Sequence, residues 1–184
     1  MWSIALAPDL QPTLTGKTVL IRPLQATDWP ALFAAASDPK IWDVHPARDR
    51  YQEKVFRDFF DAAMRSGSAF AFVEHDTGMV VGSSRYHGLN PESSEIEIGW
   101  TFLVRRLWGG DTNREIKRLM LGHAFTFVDK VVFWVGETNT RSQRAMEKIG
   151  GVRRPQLQSR PPLGPHAVYE ITKAGFAANP LWRD

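Results

Sequence analysis

The sequence contains no cysteine. That absence excludes disulfides, thiolate metal sites and cysteine nucleophiles together, and it is compatible with a reducing compartment. No uninterrupted apolar run approaches the roughly 18–20 residues that a membrane-spanning helix needs, so no membrane partner is expected. The opening Met1-Trp-Ser-Ile-Ala-Leu-Ala-Pro8 has no basic n-region and meets Asp9 at once. This argues against a secretory signal and for a cytoplasmic location. Internal repeats and low-complexity tracts are also missing. The five histidines, at 45, 75, 87, 123 and 166, lack metal-ligand spacing, so no metal is expected. His123 falls inside a helical pattern and reads as a packed side chain. Residue order alone argues no Ser-His-Asp triad. Neither a Walker A loop nor the dinucleotide-binding fingerprint is present.

What remains describes a globular protein. The 184 residues suit a single domain spanning 1–184 with a proper apolar core. The composition, 43% hydrophobic and 23% charged, excludes disordered and fibrous classes. Net charge is only +3, yet residues 105–160 hold 12 Lys and Arg against 5 Asp and Glu, while the rest of the chain holds 11 against 15. Such a basic segment fits one anionic ligand bound at one place, and equally a solvated basic face. Nucleic-acid binding through Arg114, Lys117, Arg118, Arg141 and Arg144 would give salt-steep affinity. The near-neutral overall charge argues against it, and no nucleic-acid partner is expected. Seven scattered tryptophans read as core and cleft walls before any platform for bases.

Periodicity predicts strands at 18–22, 69–74, 80–86, 96–104, 131–135, 152–158 and 167–172. It predicts helices at 28–36, 52–64, 112–128 and 140–149. Asp28 is placed as an N-cap, with Pro30 in the first turn. Gly150-Gly151 stops the last helix. The order β-α-α-β-β-β-α-β-α-β-β implies an α/β (α+β) fold with helices on the faces of a mixed sheet.

One stretch carries most of the chemical information: Phe102-Leu-Val-Arg-Arg-Leu-Trp-Gly-Gly-Asp-Thr-Asn-Arg-Glu-Ile116. A strand ends, two arginines follow, Gly109 and Gly110 let the backbone curl, and a helix begins. Helix N-termini present unpaired N–H groups and partial positive charge, which suits a phosphate. Thr112-Asn-Arg-Glu115 has the form of a capping box. A glycine pair alone is a weak motif, and a tight strand-to-helix turn without a ligand would look the same.

Two segments together resemble a known family. Val104-Arg-Arg-Leu-Trp-Gly-Gly-Asp-Thr-Asn-Arg-Glu115 is similar to the pyrophosphate loop of the GNAT superfamily of N-acetyltransferases, Gln/Arg-x-x-Gly-x-Gly/Ala. Asn139-Thr-Arg-Ser142-Gln-Arg-Ala-Met-Glu-Lys-Ile-Gly150 resembles its second signature. The likeness is greatest to the branch of ribosomal-protein N-terminal acetyltransferases. It implies a mostly antiparallel central sheet of about seven strands flanked by about four helices. It also implies acetyl-CoA as cosubstrate, and an amine acceptor that is a peptide N-terminus or a small molecule. A monomer or a homodimer is compatible with it.

Carried over by position, the resemblance puts the pyrophosphate on Arg105, Arg106, Trp108, Gly109, Gly110, Asp111, Thr112 and Asn113. Arg106 stands at the Gln/Arg place. Phe102 and Val104 would pair through their backbones with the pantetheine arm, and Asn139 and Ser142 would face its thioester end. The sequence departs from the family at Asp111, a carboxylate where Gly or Ala is usual, and at Met146, where many relatives place a catalytic tyrosine. The thiolate would then leave unassisted or take a proton from water, Ser142 or Tyr169. Glu97 is the expected general base, since Glu95, Glu97 and Gly99 alternate onto one strand face and Ile96, Ile98 and Trp100 onto the other. Loops 38–51 and 156–166 would cover the acceptor. Trp42 and His45 suit a cationic amine against an aromatic wall, and Arg160 suits a carboxylate. The alternative is a non-catalytic acyl-CoA-binding module with the same anion site.

Overall fold

The computed structural model describes residues 7–183, so the first six residues of the opening segment lie outside the described region. Among the described residues nine strands form one sheet: β1 (Leu14–Thr15), β2 (Val19–Pro23), β3 (Ala69–Glu74), β4 (Val80–Asn90), β5 (Glu95–Leu103), β6 (Lys130–Gly136), β7 (Val152–Arg153), β8 (Gln158–Ser159) and β9 (Pro165–Thr172). Five helices accompany them: α1 (Trp29–Ala36), α2 (Glu53–Ser66), α3 (Asp111–Ala124), α4 (Thr140–Lys148) and α5 (Lys173–Ala178). The strand order is β1-β2-β3-β4-β5-β6-β9-β7, with β8 also on β9. Every pair is antiparallel except β5 with β6. The crossover through α3 makes that one pair parallel.

The mixed, mostly antiparallel architecture is as expected, with corrections at the edges. The expected strand 152–158 is two short pieces, because Pro155 has no N–H to give a ladder and the chain leaves β9 after Arg154. The pair β1 and the terminal α5 were not anticipated. Helix α3 stops at Ala124 rather than Val128, its last residues closing as tight turns from Thr126 to His123 and Phe127 to Ala124.

Two apolar clusters build the interior. Phe56, Phe59 and Phe60 recur along α2 at helical spacing and meet Leu32, Trp42 and Phe102. Phe56 lies edge-on to Phe102 at 5.8 Å, and Trp29 stacks on Phe33 at 5.5 Å. In the other cluster Ile116, Met120, Leu121 and Ala124 of α3 lie against Ile21, Phe70, Phe72, Ile96, Ile98 and Val131. The Tyr86 hydroxyl is satisfied there by the Met120 carbonyl at 2.6 Å.

Helix starts also differ from expectation. Asp28 precedes α1, but its carboxylate caps the preceding turn through the Gln25 N–H and takes both guanidinium nitrogens of Arg22. The N-cap of α3 is Gly110, and the Thr112–Glu115 capping box does not form. Glu115 reaches instead to the β1–β2 turn, accepting from the Lys17 and Thr18 N–H groups and the Thr18 hydroxyl. Thr112 is buried against that same hydroxyl. A long-range tie thus replaces the local cap.

Candidate active site

Strands β5 and β6 pair only over Glu95–Glu97 with Lys130–Val132. Beyond that they diverge, and a cleft of about 250 Å³ opens between residues 98–103 and 133–136. A bulge in β5 accompanies the divergence. Ser83 faces Phe102 but Arg85 faces Gly99, so β5 carries one extra residue there. Trp100 takes it up in a left-handed conformation, φ 53°, which is costly for a bulky side chain.

The bulge corrects two expectations. Trp100 leaves the face of Ile96 and Ile98 and joins that of Glu97, its ring 5.0 Å from His87 and under the Arg85 guanidinium at 3.6 Å. It also decides which amides of β5 face the gap. The Val104 N–H bonds to Val81 on β4, and by the period of two Phe102 points the same way. Thr101 and Leu103 therefore turn their backbones toward the open edge, where Phe102 and Val104 were expected to.

At one end of the cleft the chain turns from β5 into α3. Gly109 sits at φ 69°, where any other residue would be strained, and its empty Cβ position leaves the backbone open to close approach. Gly110 is the N-cap without a side-chain hydrogen bond, and the first helical bond runs from Arg114 to Gly110. The amides of residues 111–113 therefore end in an uncapped positive pole. Asp111 is exposed and pairs with Arg114 at 2.7 Å, so it is not a cap. Arg105 and Arg106 are exposed and pair with Asp38 and Glu74, Arg106 through both nitrogens. Phe102, Trp108, Gly109, Asn113, Asn139 and Ser142 line the cleft; Val104, Arg105, Arg106, Gly110, Asp111 and Thr112 stand behind or beside it.

The middle of the cleft is bounded by α3 and α4. Asn139 is the N-cap of α4, its Oδ1 accepting from the Ser142 N–H at 3.1 Å. Met146 also lines this part, while Tyr169 lies outside it, its hydroxyl against Gln143 and Glu147 of α4 at 3.3 Å each. Tyr169 is thereby removed as a proton source. Lys117, which the sequence offers only among cations for nucleic acid, lines the cleft. Its side chain is buried, its Nζ 4.9 Å from the Phe133 ring centroid and 3.5 Å from the Thr101 hydroxyl. Burial pulls its pKa down to about 8. Arg141 covers the Trp108 ring at 3.9 Å. Lys117 and Arg141, two of the five basic residues considered for nucleic acid, line the cleft.

The other end is walled by loops 38–51 and 156–166. The Arg160 guanidinium lies 4.5 Å from both the Trp100 and Trp134 ring centroids. Its charge goes to Glu97, Nη2 to Oε2 at 2.6 Å. The carboxylate that Arg160 holds is thus the protein's own. Glu97 is buried beneath the cleft wall, and Gly99 makes room for it: a Cβ on Gly99 would sit 2.6 Å from Glu97 Oε1. Trp42 is a core residue bonded through Nε1 to the Ala36 carbonyl. The cation on its ring is Arg50, at 5.6 Å. His45 is held neutral, its pKa pulled to about 3 by burial and by Arg50. Among the described residues no group of three or more His, Asp or Glu could hold a metal ion, and no helix is long and apolar enough to cross a membrane.

The model of the acetyltransferase (GNAT) domain family matches residues 18–152. No curated protein matches the sequence. Among solved structures, a GCN5-related N-acetyltransferase from Brucella melitensis superposes with TM-score 0.80 at 19% identity, covering 94% of this chain and 82% of its own. RimJ of Mycobacterium smegmatis, in complex with CoA-disulfide, gives TM-score 0.61 at 19% identity over 85% of this chain and 82% of its own. A spermidine N-acetyltransferase from Vibrio cholerae, in complex with CoA and spermine, gives 0.67 at 12% identity over 88% and 99%. At these identities the likeness is one of fold.

Proposed function

The chain belongs to the GNAT acetyltransferase family, and on that premise we propose that it transfers an acetyl group from acetyl-CoA to a primary amine by direct attack. The observation that carries this reading is the splay of β5 from β6, which joins the uncapped start of α3 to the Arg50–Arg160 end through one continuous cleft. Such a cleft can take an extended anionic thioester from one side and an amine from the other.

The roles follow from position. The backbone of residues 109–113 holds the pyrophosphate, with Arg105 and Arg106 contributing positive potential at its rim. Backbone N–H groups beside the bulge, at Thr101 or Leu103, stabilise the oxyanion. Asn139 and Ser142 hold the thioester end. Glu97, beneath the cleft wall with its Oε1 sealed from solvent, takes the proton of the attacking amine through a water chain rather than by direct contact. The C–S bond breaks as the C–N bond forms, and the thiolate takes its proton from Lys117, whose pKa lies near ambient pH. Ser142 positions that sulfur.

The acceptor, the cytoplasmic location and action as a single domain over 1–184 belong to the same reading. The test is release of CoA thiol from acetyl-CoA against peptides, polyamines, amino acids and aminoglycosides. Acetylated product identified by mass spectrometry supports the reading. Saturable CoA binding without thiol release from any acceptor would establish the binding-module alternative.

A further inference from the structure

The acceptor end of the cleft holds more positive charge than the protein balances. Arg50 and Arg160 line it, and Arg85 lies directly behind, stacked on Trp100. Glu97 is the only carboxylate bonded to any of the three among the described residues, and it is engaged by Arg160. Arg85 is 9% exposed, and its Nε is sealed from solvent without an acceptor. Arg50 rests on the Phe59 ring at 4.8 Å, its nearest polar side-chain contact being His45 Nε2 at 3.5 Å. That histidine is neutral, so it supplies no compensating charge. Burial pulls Arg50 and Arg85 each down to about 10; Arg85 adds to the fall at Arg50, where Asp49 partly opposes it, and Arg160 to that at Arg85, where Glu97 partly opposes it.

A buried guanidinium such as that of Arg85, and a half-buried one such as that of Arg50, are destabilising when their counter-charge is incomplete, and natural proteins rarely keep them unless something anionic completes the site. The cofactor's phosphates do not serve here, because their loop begins at the far end of β5. Gly99, opposite Arg85, and Leu103, opposite Gly82, are three residues of β4 apart, or ~10 Å along the strand at ~3.3 Å per residue. Arginine forks between aromatic walls are suited to a planar or tetrahedral oxyanion.

We propose that the acceptor is an amine that also carries an oxyanion, a carboxylate or a phosphate, bound at the cleft wall by Arg50, with Arg85 behind it and the Glu97-paired Arg160 beside it adding positive potential. This rests on the acetyltransferase reading and narrows its acceptor class. The same three cations repel the second charge of a polyamine, so spermidine and spermine are poor acceptors here.

The experiment has two arms on the full chain. In the first, kcat/KM for thiol release is compared within matched pairs: phenylalanine against phenethylamine, and glucosamine 6-phosphate against glucosamine. In the second, quenching of tryptophan fluorescence by N-acetylphenylalanine and by inorganic phosphate is titrated without acetyl-CoA. The expected result is at least a tenfold preference for one anionic member over its neutral partner, and saturable quenching by the matching anion. Arg50→Gln and Arg85→Gln should each reduce both effects at least fivefold, whereas the exposed Arg65→Gln should leave them intact. Whichever pair responds identifies the oxyanion. If amines without an anion react equally well, the inference fails and the acetyltransferase reading stands. Anion binding that depends on Arg50 and Arg85, with no turnover of any amine, would overturn acetyl transfer and keep the anion site. Loss of neither effect in the two variants would overturn the assignment to these arginines.

Discussion

Replacing Lys117 with methionine should make the protein more stable and a poorer catalyst. Lys117 is buried against Phe133, with a single distant contact to Thr101. Its pKa falls from 10.5 to about 8 through burial. At ~1.36 kcal/mol per unit, the charged form costs the native state roughly 3 kcal/mol. Because the folded value lies below the unfolded one, the unfolded chain holds the proton more tightly. At pH 7 both states are charged and the native state bears the full cost. Between pH 8 and 10.5 the folded group loses its proton while the unfolded one keeps it, so this residue's penalty fades as pH rises. Methionine has similar length and no charge. Lys117→Met should therefore raise the urea midpoint at pH 7 by roughly 1–2 M, and the gap from the native protein should close as pH approaches 10.5. The same variant should lose at least tenfold in kcat if the ammonium protonates the thiolate. Superimposed unfolding curves at pH 7, or a gap that persists unchanged to pH 10.5, would refute the argument from burial. Unchanged kcat with raised stability would remove Lys117 from the chemistry alone.

Three further outcomes are expected. Glu97→Gln should lower turnover at neutral pH at least tenfold while calorimetric CoA affinity stays within twofold, because Glu97 lies beneath the acceptor end; equal turnover removes it as the base. Gly109→Ala should cost ~1–2 kcal/mol at the left-handed position and weaken CoA binding, and a variant of native stability and affinity would show that the loop's φ of 69° is not required. Asp111→Ala should leave CoA binding unchanged or tighter, since the exposed carboxylate is no cap and opposes the pyrophosphate charge; binding more than fivefold weaker would contradict this.

Much of this protein was legible in its residues. The aromatic spacing of Phe56, Phe59 and Phe60 marks α2, the charge-free run at 131–135 marks β6, and the glycine pair followed by Thr112–Glu115 marks the start of a helix. Each signal is local, set by neighbours within one or two turns. The glycine-pair loop before α3 and the Asn139 signature were legible for the same reason, as short contiguous segments that the family resemblance could match.

What the linear chain concealed depends on partners far apart in it. The partner of Glu115 is the turn at Lys17 and Thr18, so a motif with the form of a local cap became a tie between elements. The strict alternation read into β5 fails at Trp100, because the bulge arises from pairing with β4 and has no mark in the sequence. Arg160, expected to take a ligand carboxylate, is held by Glu97, and Lys117, considered only for nucleic acid, is enclosed between α3 and the splayed strands. Local periodicity and turn chemistry were enough to determine most of the elements and their order, and the family resemblance marked the segment that would hold the cofactor. Only the packing of β4, β5, β6 and two distant loops decided which charges are neutralised and which face the cleft, because burial and pairing are properties of surroundings that the chain assembles only when folded.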